Sequence, residues 1–94
     1  MARVKRYPVA VDVFQAIADP TRRELLDLLA AGEQPVGRLA APFSMTLSAV
    51  SQHLRMLREA GLVIDRPVGR ERLYRLNPAP LQEVAGWVRR HLDF

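Results

Sequence analysis

The stretch of sequence that decides the fold runs from Val36 to Gly61 and reads VGRLAAPFSMTLSAVSQHLRMLREAG. It opens with apolar residues at helical spacing, but Pro42 limits this first helix to about Ala41, because proline lacks the backbone N–H that a continuing helix needs. Thr46 is a suitable cap for a second helix, which runs to Ala60 and ends at Gly61. The stretch therefore predicts a short helix, a tight turn and a longer helix.

Two more helices are predicted on the N-terminal side. Apolar residues recur at three- and four-residue steps over residues 9–18, which is helical spacing. Asp19 can then cap another helix, and Pro20 suits the first position of that helix. The helix that begins at Pro20 is expected to stop at Gly32 with a left-handed cap. Residues 32–35 are predicted to form a short turn.

On the C-terminal side, residues 62–66 and 72–76 are rich in Val, Ile, Leu and Tyr, which favour strands. Residues 67–70, Pro-Val-Gly-Arg, form the predicted hairpin turn. Four side chains are expected to alternate inward from these strands: Leu62, Ile64, Tyr74 and Leu76. A last helix is expected over residues 80–92, with its apolar residues on one side.

This order predicts a mainly α fold with a small β-hairpin, a winged helix-turn-helix, as a single domain over residues 1–94. Residues 1–8 form an N-terminal arm, 36–60 the helix-turn-helix and 62–77 the wing.

Composition excludes several classes of protein. The chain has 94 residues and no cysteine, so disulfide scaffolds, cysteine nucleophiles and thiolate metal sites are ruled out. No apolar run approaches the roughly 20 residues of a membrane span, and no signal-peptide pattern opens the chain. We therefore expect a cytoplasmic protein that does not bind a membrane. No glycine-rich phosphate loop, catalytic triad or carboxylate pair is present at usable spacing, so an enzyme is not expected.

The net charge of +4 is unevenly placed. Residues 46–76 hold six arginines and three acidic residues, and a basic block inside a folded segment favours a polyanionic partner. The alternative is a solvated face that keeps the protein soluble. The arm residues Arg3, Lys5 and Arg6 either add a contact or form a solvated tail.

The helix predicted over residues 46–60 has two faces. At about 100° per residue, Val50, Leu54 and Leu57 share the side that faces the core. The opposite side, in the first half of the helix, carries side chains able to bond base edges in a DNA major groove: Ser48, Ser51, Gln52 and Arg55. The alternative is an ordinary solvated helix face, which usually carries Glu and Lys.

Other candidate DNA contacts lie around this face. Thr46 precedes it, while His53 on one flank is either packed or in contact with a phosphate. Arg58 on the other flank either reaches a phosphate or pairs with an acid of the scaffold. In the wing, three arginines flank the turn: Arg66, Arg70 and Arg72. They suit contact with phosphate or with a minor groove. The alternative is that they only protect an edge strand.

Four segments together resemble the ArsR/SmtB family of bacterial transcriptional regulators: ADPTRR at 18–23, VGRLA at 36–40, AVSQHL at 49–54 and LREAGLV at 57–63. Residues 69–76, GRERLYRL, are similar to the family's wing. The resemblance covers roughly residues 12–80. It implies a homodimeric repressor that occupies double-stranded operator DNA with an inverted repeat.

In that family the first and last helices, here 9–18 and 80–92, build the dimer interface. The resemblance places seven residues there, unless they are ordinary intramolecular core: Val9, Val13, Leu81, Val84, Trp87, Val88 and Leu92. Many members sense metals, but this chain has no cysteine, and only Glu83, His91 and Asp93 stand near the C-terminal ligand positions. It is closest to the metal-independent, autorepressor-like branch, with no metal site and no cofactor expected.

Two alternatives remain open. One is a winged helix that binds an acidic protein partner, although such a face is usually more apolar than the Ser and Gln centre predicted here. The other is a regulator whose inducer is a small molecule or a metal without thiolate ligands.

Overall fold

A computed structural model describes residues 11–93, so Val9 and the predicted arm at 1–8 lie outside the described residues. Within that range the predicted order of helices and wing is confirmed, with one additional strand. The elements are α1 (Val13–Ile17), α2 (Pro20–Leu29), β1 (Gln34–Pro35), α3 (Val36–Ala40), α4 (Leu47–Glu59), β2 (Val63–Val68), β3 (Glu71–Leu76) and α5 (Leu81–Leu92).

Helix α2 begins as its sequence predicts and ends earlier. The Asp19 carboxylate accepts a hydrogen bond of 3.0 Å from the Arg22 amide, and Pro20 occupies the first turn. This pairing satisfies an N–H group that would otherwise lack a helical partner. The helix ends at Leu29, however, and Gly32 follows only after a further turn, with a φ of +142° that lies outside the left-handed helical region. The expected left-handed cap at Gly32 is therefore wrong.

Local signals also set the limits of α3 and α4. Helix α3 ends at Ala40, two residues before Pro42, as predicted. Thr46 caps α4, since its Oγ1 accepts a hydrogen bond of 3.0 Å from the Ala49 amide. At the other end Gly61 has a φ of +79°, and the Leu62 amide donates to the Leu57 carbonyl at 3.0 Å. This left-handed turn sends the chain from α4 directly into the wing.

The wing has a tighter turn and one more strand than the sequence predicts. Val68 pairs with Glu71, so Pro67 and Val68 belong to β2 and only Gly69 and Arg70 form the turn. Proline is tolerated in β2 because the strand order β1-β3-β2 puts β2 at an edge of the sheet. Residues 34–35, predicted as a turn, form β1 and pair with β3.

The inward face of β2 also differs from the prediction. Val63 is 1% exposed, whereas Ile64, expected to face inward, is 37% exposed. Leu62 is buried as part of the turn after α4, so the alternation of the strand begins one residue later, at Val63. As a result Asp65 joins the inward side, where its side chain is 9% exposed.

The core lies between α2, α3, α4 and the start of β2. Its largest fully buried side chains come from these elements and from the turn after α4: Leu25, Leu39, Val50, Leu54, Leu57, Leu62 and Val63. Val13, predicted at a dimer interface, is buried in this core because α1 turns its apolar side toward it. None of the helices described over residues 11–93 is long and apolar enough to span a bilayer.

We predict that Gly61→Ala lowers the free energy of unfolding by about 1–2 kcal/mol, because an L residue is strained at a left-handed φ. An added Cβ would lie 3.5 Å from Pro80 Cγ, an ordinary contact, so backbone strain is the main cost. Gly37→Ala in α3 is the matched control, because its Cβ meets no atom within 4 Å and alanine favours helix. Urea denaturation followed by circular dichroism measures both; an equal loss in the two variants contradicts the strain.

Candidate nucleic-acid interface

Helix α4 presents a continuous polar surface that extends from Ser48 in its first turn to Arg55, past its middle. Val50, Leu54 and Leu57 are buried on one side of the helix. On the other side the four predicted base-contacting side chains are all exposed: Ser48, Ser51, Gln52 and Arg55. Arg55 Nε lies 3.2 Å from Glu59 Oε2, one turn further along the same helix. An exposed pair of this kind contributes little stability, so Arg55 is easily drawn to another anion.

A groove of about 160 Å³ separates α4 from the wing. Its helix side consists of Ser51, Leu54, Arg55 and Arg58, and Tyr74 of β3 forms the wing side. Two of these five side chains carry a positive charge and two carry a hydroxyl group. The groove therefore has the chemistry of an anion site with an apolar floor at Leu54.

Asp65 joins α4 to the wing through two arginines. Its Oδ2 atom accepts hydrogen bonds from Arg58 of α4 at 3.4 Å and from Arg72 of β3 at 3.0 Å. Of the two alternatives for Arg58, the pairing with a scaffold acid is the one present in this structure. Both arginine side chains remain about half exposed, so their other N–H groups face solvent.

The two other arginines of the wing have different environments. Arg70 lies in the exposed turn and has no ion-pair partner among residues 11–93. Arg66 donates two hydrogen bonds of 2.8 Å to the Glu33 carboxylate, ahead of β1. The hydrogen bond from Arg66 lowers the pKa of Glu33, and the same bond raises the pKa of Arg66. Arg66 therefore braces the wing, whereas Arg70 projects from it.

His53 points toward the scaffold. Its Nδ1 atom lies 3.3 Å from Nη1 of Arg22, a residue of α2, and 3.9 Å from Oδ2 of Asp19, the N-terminal cap of that helix. Burial raises the pKa of Asp19, but the Arg22 amide and the charges of Arg22 and His53 outweigh it, so this pKa is below its ordinary value. Arg22 also donates to the Ala16 carbonyl at 2.7 Å, which ties α1 into the same cluster.

Helix α5 has an exposed apolar side, and no residue of this helix is buried. Trp87, Val88 and Leu92 are 46%, 40% and 76% exposed, while Leu81 and Val84 are half-buried. Trp87 contacts Phe14 of α1 edge-on at 6.1 Å and stacks on His91 at 4.3 Å. The two helices predicted to form the dimer interface therefore meet within one chain.

Two features of this surface escape the sequence analysis. Asp65 is an isolated acidic residue whose role depends on the register of β2. An inward alternation that begins at Val63 would have predicted that Asp65 faces inward. Leu47, the first residue of α4, is an apolar side chain that is exposed beside the polar surface. Among residues 11–93, no group of three or more His, Cys, Asp or Glu side chains is placed to hold a metal ion.

Comparison with known proteins gives a consistent set of matches. A family model described as "Bacterial regulatory protein, arsR family" matches residues 19–65. The transcriptional repressor SdpR of Bacillus subtilis is 39% identical over 77 residues, which cover 82% of this chain and 86% of SdpR. The HTH-type transcriptional regulator Rv2034 of Mycobacterium tuberculosis is 48% identical over 68 residues, 72% of this chain, and the match spans only 64% of that relative.

A solved structure matches most of the fold. The ArsR-like transcriptional regulator from Rhodococcus sp. RHA1 superposes with a TM-score of 0.76 and 37% sequence identity, over 83% of this chain and 72% of that one. The winged helix-turn-helix prediction is confirmed, with a three-stranded sheet in place of a simple hairpin.

We predict that Arg66→Gln raises the pKa of Glu33 toward the ordinary glutamate value, because the hydrogen bond that stabilises its charged form is lost. The folded pKa of Glu33 is depressed, so this pair stabilises the fold above the ordinary glutamate pKa and ceases to do so as the pH falls through the folded value. NMR titration of the Glu33 side chain measures the shift. Arg70→Gln removes the same charge from the turn, and an equal shift in both variants would count against the direct bond.

Proposed function

The chain belongs to the arsR family of bacterial regulatory proteins, and from this premise we propose that it is a sequence-specific, dimeric repressor of transcription. As a member it is a DNA-binding transcriptional regulator and not an enzyme. The proposal adds that α4 and the wing read an inverted-repeat operator in the bacterial cytoplasm. Occupation of such a site would block transcription of the adjacent gene.

The observation that carries the proposal is the exposed polar face of α4. Ser48 and Gln52 stand in the N-terminal half of a helix that follows a short helix and a turn, the part of this motif that enters a major groove. A glutamine bonds adenine through two atoms, and a serine bonds several bases. Neither side chain has a hydrogen-bond partner among residues 11–93, so no internal contact must be broken before DNA binds.

The apolar side of α5 supports the proposed homodimer. No residue of α5 is fully buried within the chain, and its exposed Trp, Val and Leu side chains favour a second apolar surface. Self-association of α5 with its copy would form a twofold interface and place two α4 helices about 34 Å apart on one side of the duplex. The proposed interface consists of Leu81, Val84, Trp87, Val88 and Leu92, without Val13.

We also propose that repression does not depend on a thiolate-bound metal. The chain has no cysteine, so it offers no soft sulfur donor of the kind that binds zinc in Cys-rich sites.

We predict that Gln52→Ala weakens binding to a duplex selected by this protein from a random pool by about 1–3 kcal/mol, because a base contact is lost. Affinity for a random-sequence duplex should hold, since that affinity comes mainly from phosphate contacts. Fluorescence anisotropy at constant salt measures both duplexes. Gln82→Ala, an exposed glutamine of α5, is the matched control; equal losses on both duplexes with Gln52→Ala would refute base readout.

We predict that Val88→Asp shifts the protein toward the monomer, because a carboxylate would be buried without a partner in the proposed interface. Val88 is exposed within the chain, so the fold of the monomer should tolerate the change. Sedimentation velocity across a range of concentrations gives the mass. Gln82→Asp adds the same charge on the other side of α5; a dimer that survives Val88→Asp as well as this control would exclude the α5 interface.

A further inference from the structure

The groove between α4 and the wing lies where a DNA backbone strand would have to pass. We propose that it binds one phosphodiester group of the DNA backbone, and that Asp65 positions the arginines that hold this group. The inference rests on the proposed function, since it assumes that α4 enters a major groove. It identifies a backbone phosphate as the ligand of the groove and Asp65 as the residue that orients the arginines there.

In a duplex, one sugar–phosphate strand separates each major groove from the neighbouring minor groove. If α4 lies in the major groove and Arg70 at the wing turn reaches the next minor groove, that strand must cross between them. The space between α4 and β3 is the groove of about 160 Å³ described above. One water molecule needs about 10–15 Å³ of such space, so the groove has room for a solvated phosphate.

Arg55 and Arg58 line the helix side of the groove, and their side chains are 61% and 49% exposed. Guanidinium groups bind phosphate through charge-assisted hydrogen bonds, which are stronger than those between neutral groups. Ser51 and Tyr74 add a hydroxyl-bearing side chain on each side. The lining therefore matches a single anionic phosphodiester group.

The Asp65 carboxylate would repel a phosphate if it acted alone. It is instead largely buried, and it binds Arg58 from the helix and Arg72 from the wing through one oxygen, Oδ2. Two arginines and one aspartate leave a net positive charge, and each guanidinium keeps further N–H donors. Asp65 therefore acts as a positioning residue, which reduces the side-chain entropy lost when the phosphate binds.

This arrangement divides the polar face of α4 between two tasks. Ser51, Arg55 and Arg58 line the groove, and contacts to a phosphate carry no sequence information. Ser48 and Gln52 do not line it and are left for the bases.

The contact is tested with duplexes that carry a single neutral methylphosphonate in place of one phosphate, scanned along the selected duplex. For the wild-type protein we expect one position in each half-site at which neutralisation weakens binding about tenfold, as for a lost charge-assisted hydrogen bond. With Arg58→Ala the same position should lose its effect. If neutralisation costs the same for Arg58→Ala as for wild type at every position, Arg58 does not hold a phosphate and the site is overturned.

The positioning role is tested by a pair of variants with the same change of charge. Asp65→Asn and Glu71→Gln each remove one acidic group from the wing, which on charge alone predicts tighter DNA binding. Glu71 is exposed and has no ion-pair partner among residues 11–93, so Glu71→Gln should bind both duplexes as tightly as wild type or more tightly. Asp65→Asn should bind both the selected and the random duplex more weakly, and Asp65→Glu should recover part of the loss.

If Asp65→Asn binds as tightly as Glu71→Gln, Asp65 has no positioning role. Thermal denaturation of each variant identifies a loss caused by unfolding, and in that event the methylphosphonate scan of wild type and Arg58→Ala decides the proposal. Failure of the protein to enrich any duplex from the random pool would overturn the proposed function and this site with it. Enrichment followed by independent effects of Arg58→Ala and the methylphosphonate would overturn the site alone.

Discussion

The burial of Val50, Leu54 and Leu57 sets the rotation of α4 about its own axis, and the functional surface depends on that rotation. A helix turns by about 100° per residue, so once its apolar side is fixed against the core, the direction of each polar side chain is fixed as well. Gln52 is then presented to solvent and Ser51 to the groove beside the wing. The Gly61 turn adds the second constraint, because it determines where the wing leaves α4. The distance between the helix and β3 follows from these two features.

Acidic residues organise the arginines around this surface. Glu33 holds Arg66 at the outer side of the wing, and Asp65 holds Arg58 and Arg72 on the side that faces α4. Ion pairs with an arginine that is half exposed add little to stability, so their value here is geometric: they restrict flexible side chains near an expected polyanion. Acidic residues thus hold Arg58, Arg66 and Arg72 in place. Arg70, in the turn, has no ion-pair partner among residues 11–93.

The parts of the fold that depend on neighbouring residues were predictable from the sequence. The caps at Asp19 and Thr46, the end of α3 before Pro42 and the Gly61 turn each arise within a few residues. The register of β2 was not predictable, because a shift of one residue exchanges the two faces of a strand. Leu62 belongs to the turn after α4 and not to the strand. Strand β1 depends on pairing with β3, nearly 40 residues away in sequence. For the same reason the partners of His53, Arg58 and Asp65 could only be found in three dimensions.

Pro67 has a consequence for the behaviour of the wing in a crowded solution. A wing that projects far enough to meet DNA must leave one side of β2 without a neighbouring strand, and an open edge of this kind is a template for aggregation. Proline removes one backbone donor from that edge, and Arg66 beside it adds a charge. Pro67, which the sequence places in the turn, and Arg66 thus discourage a second chain from extending the sheet at β2.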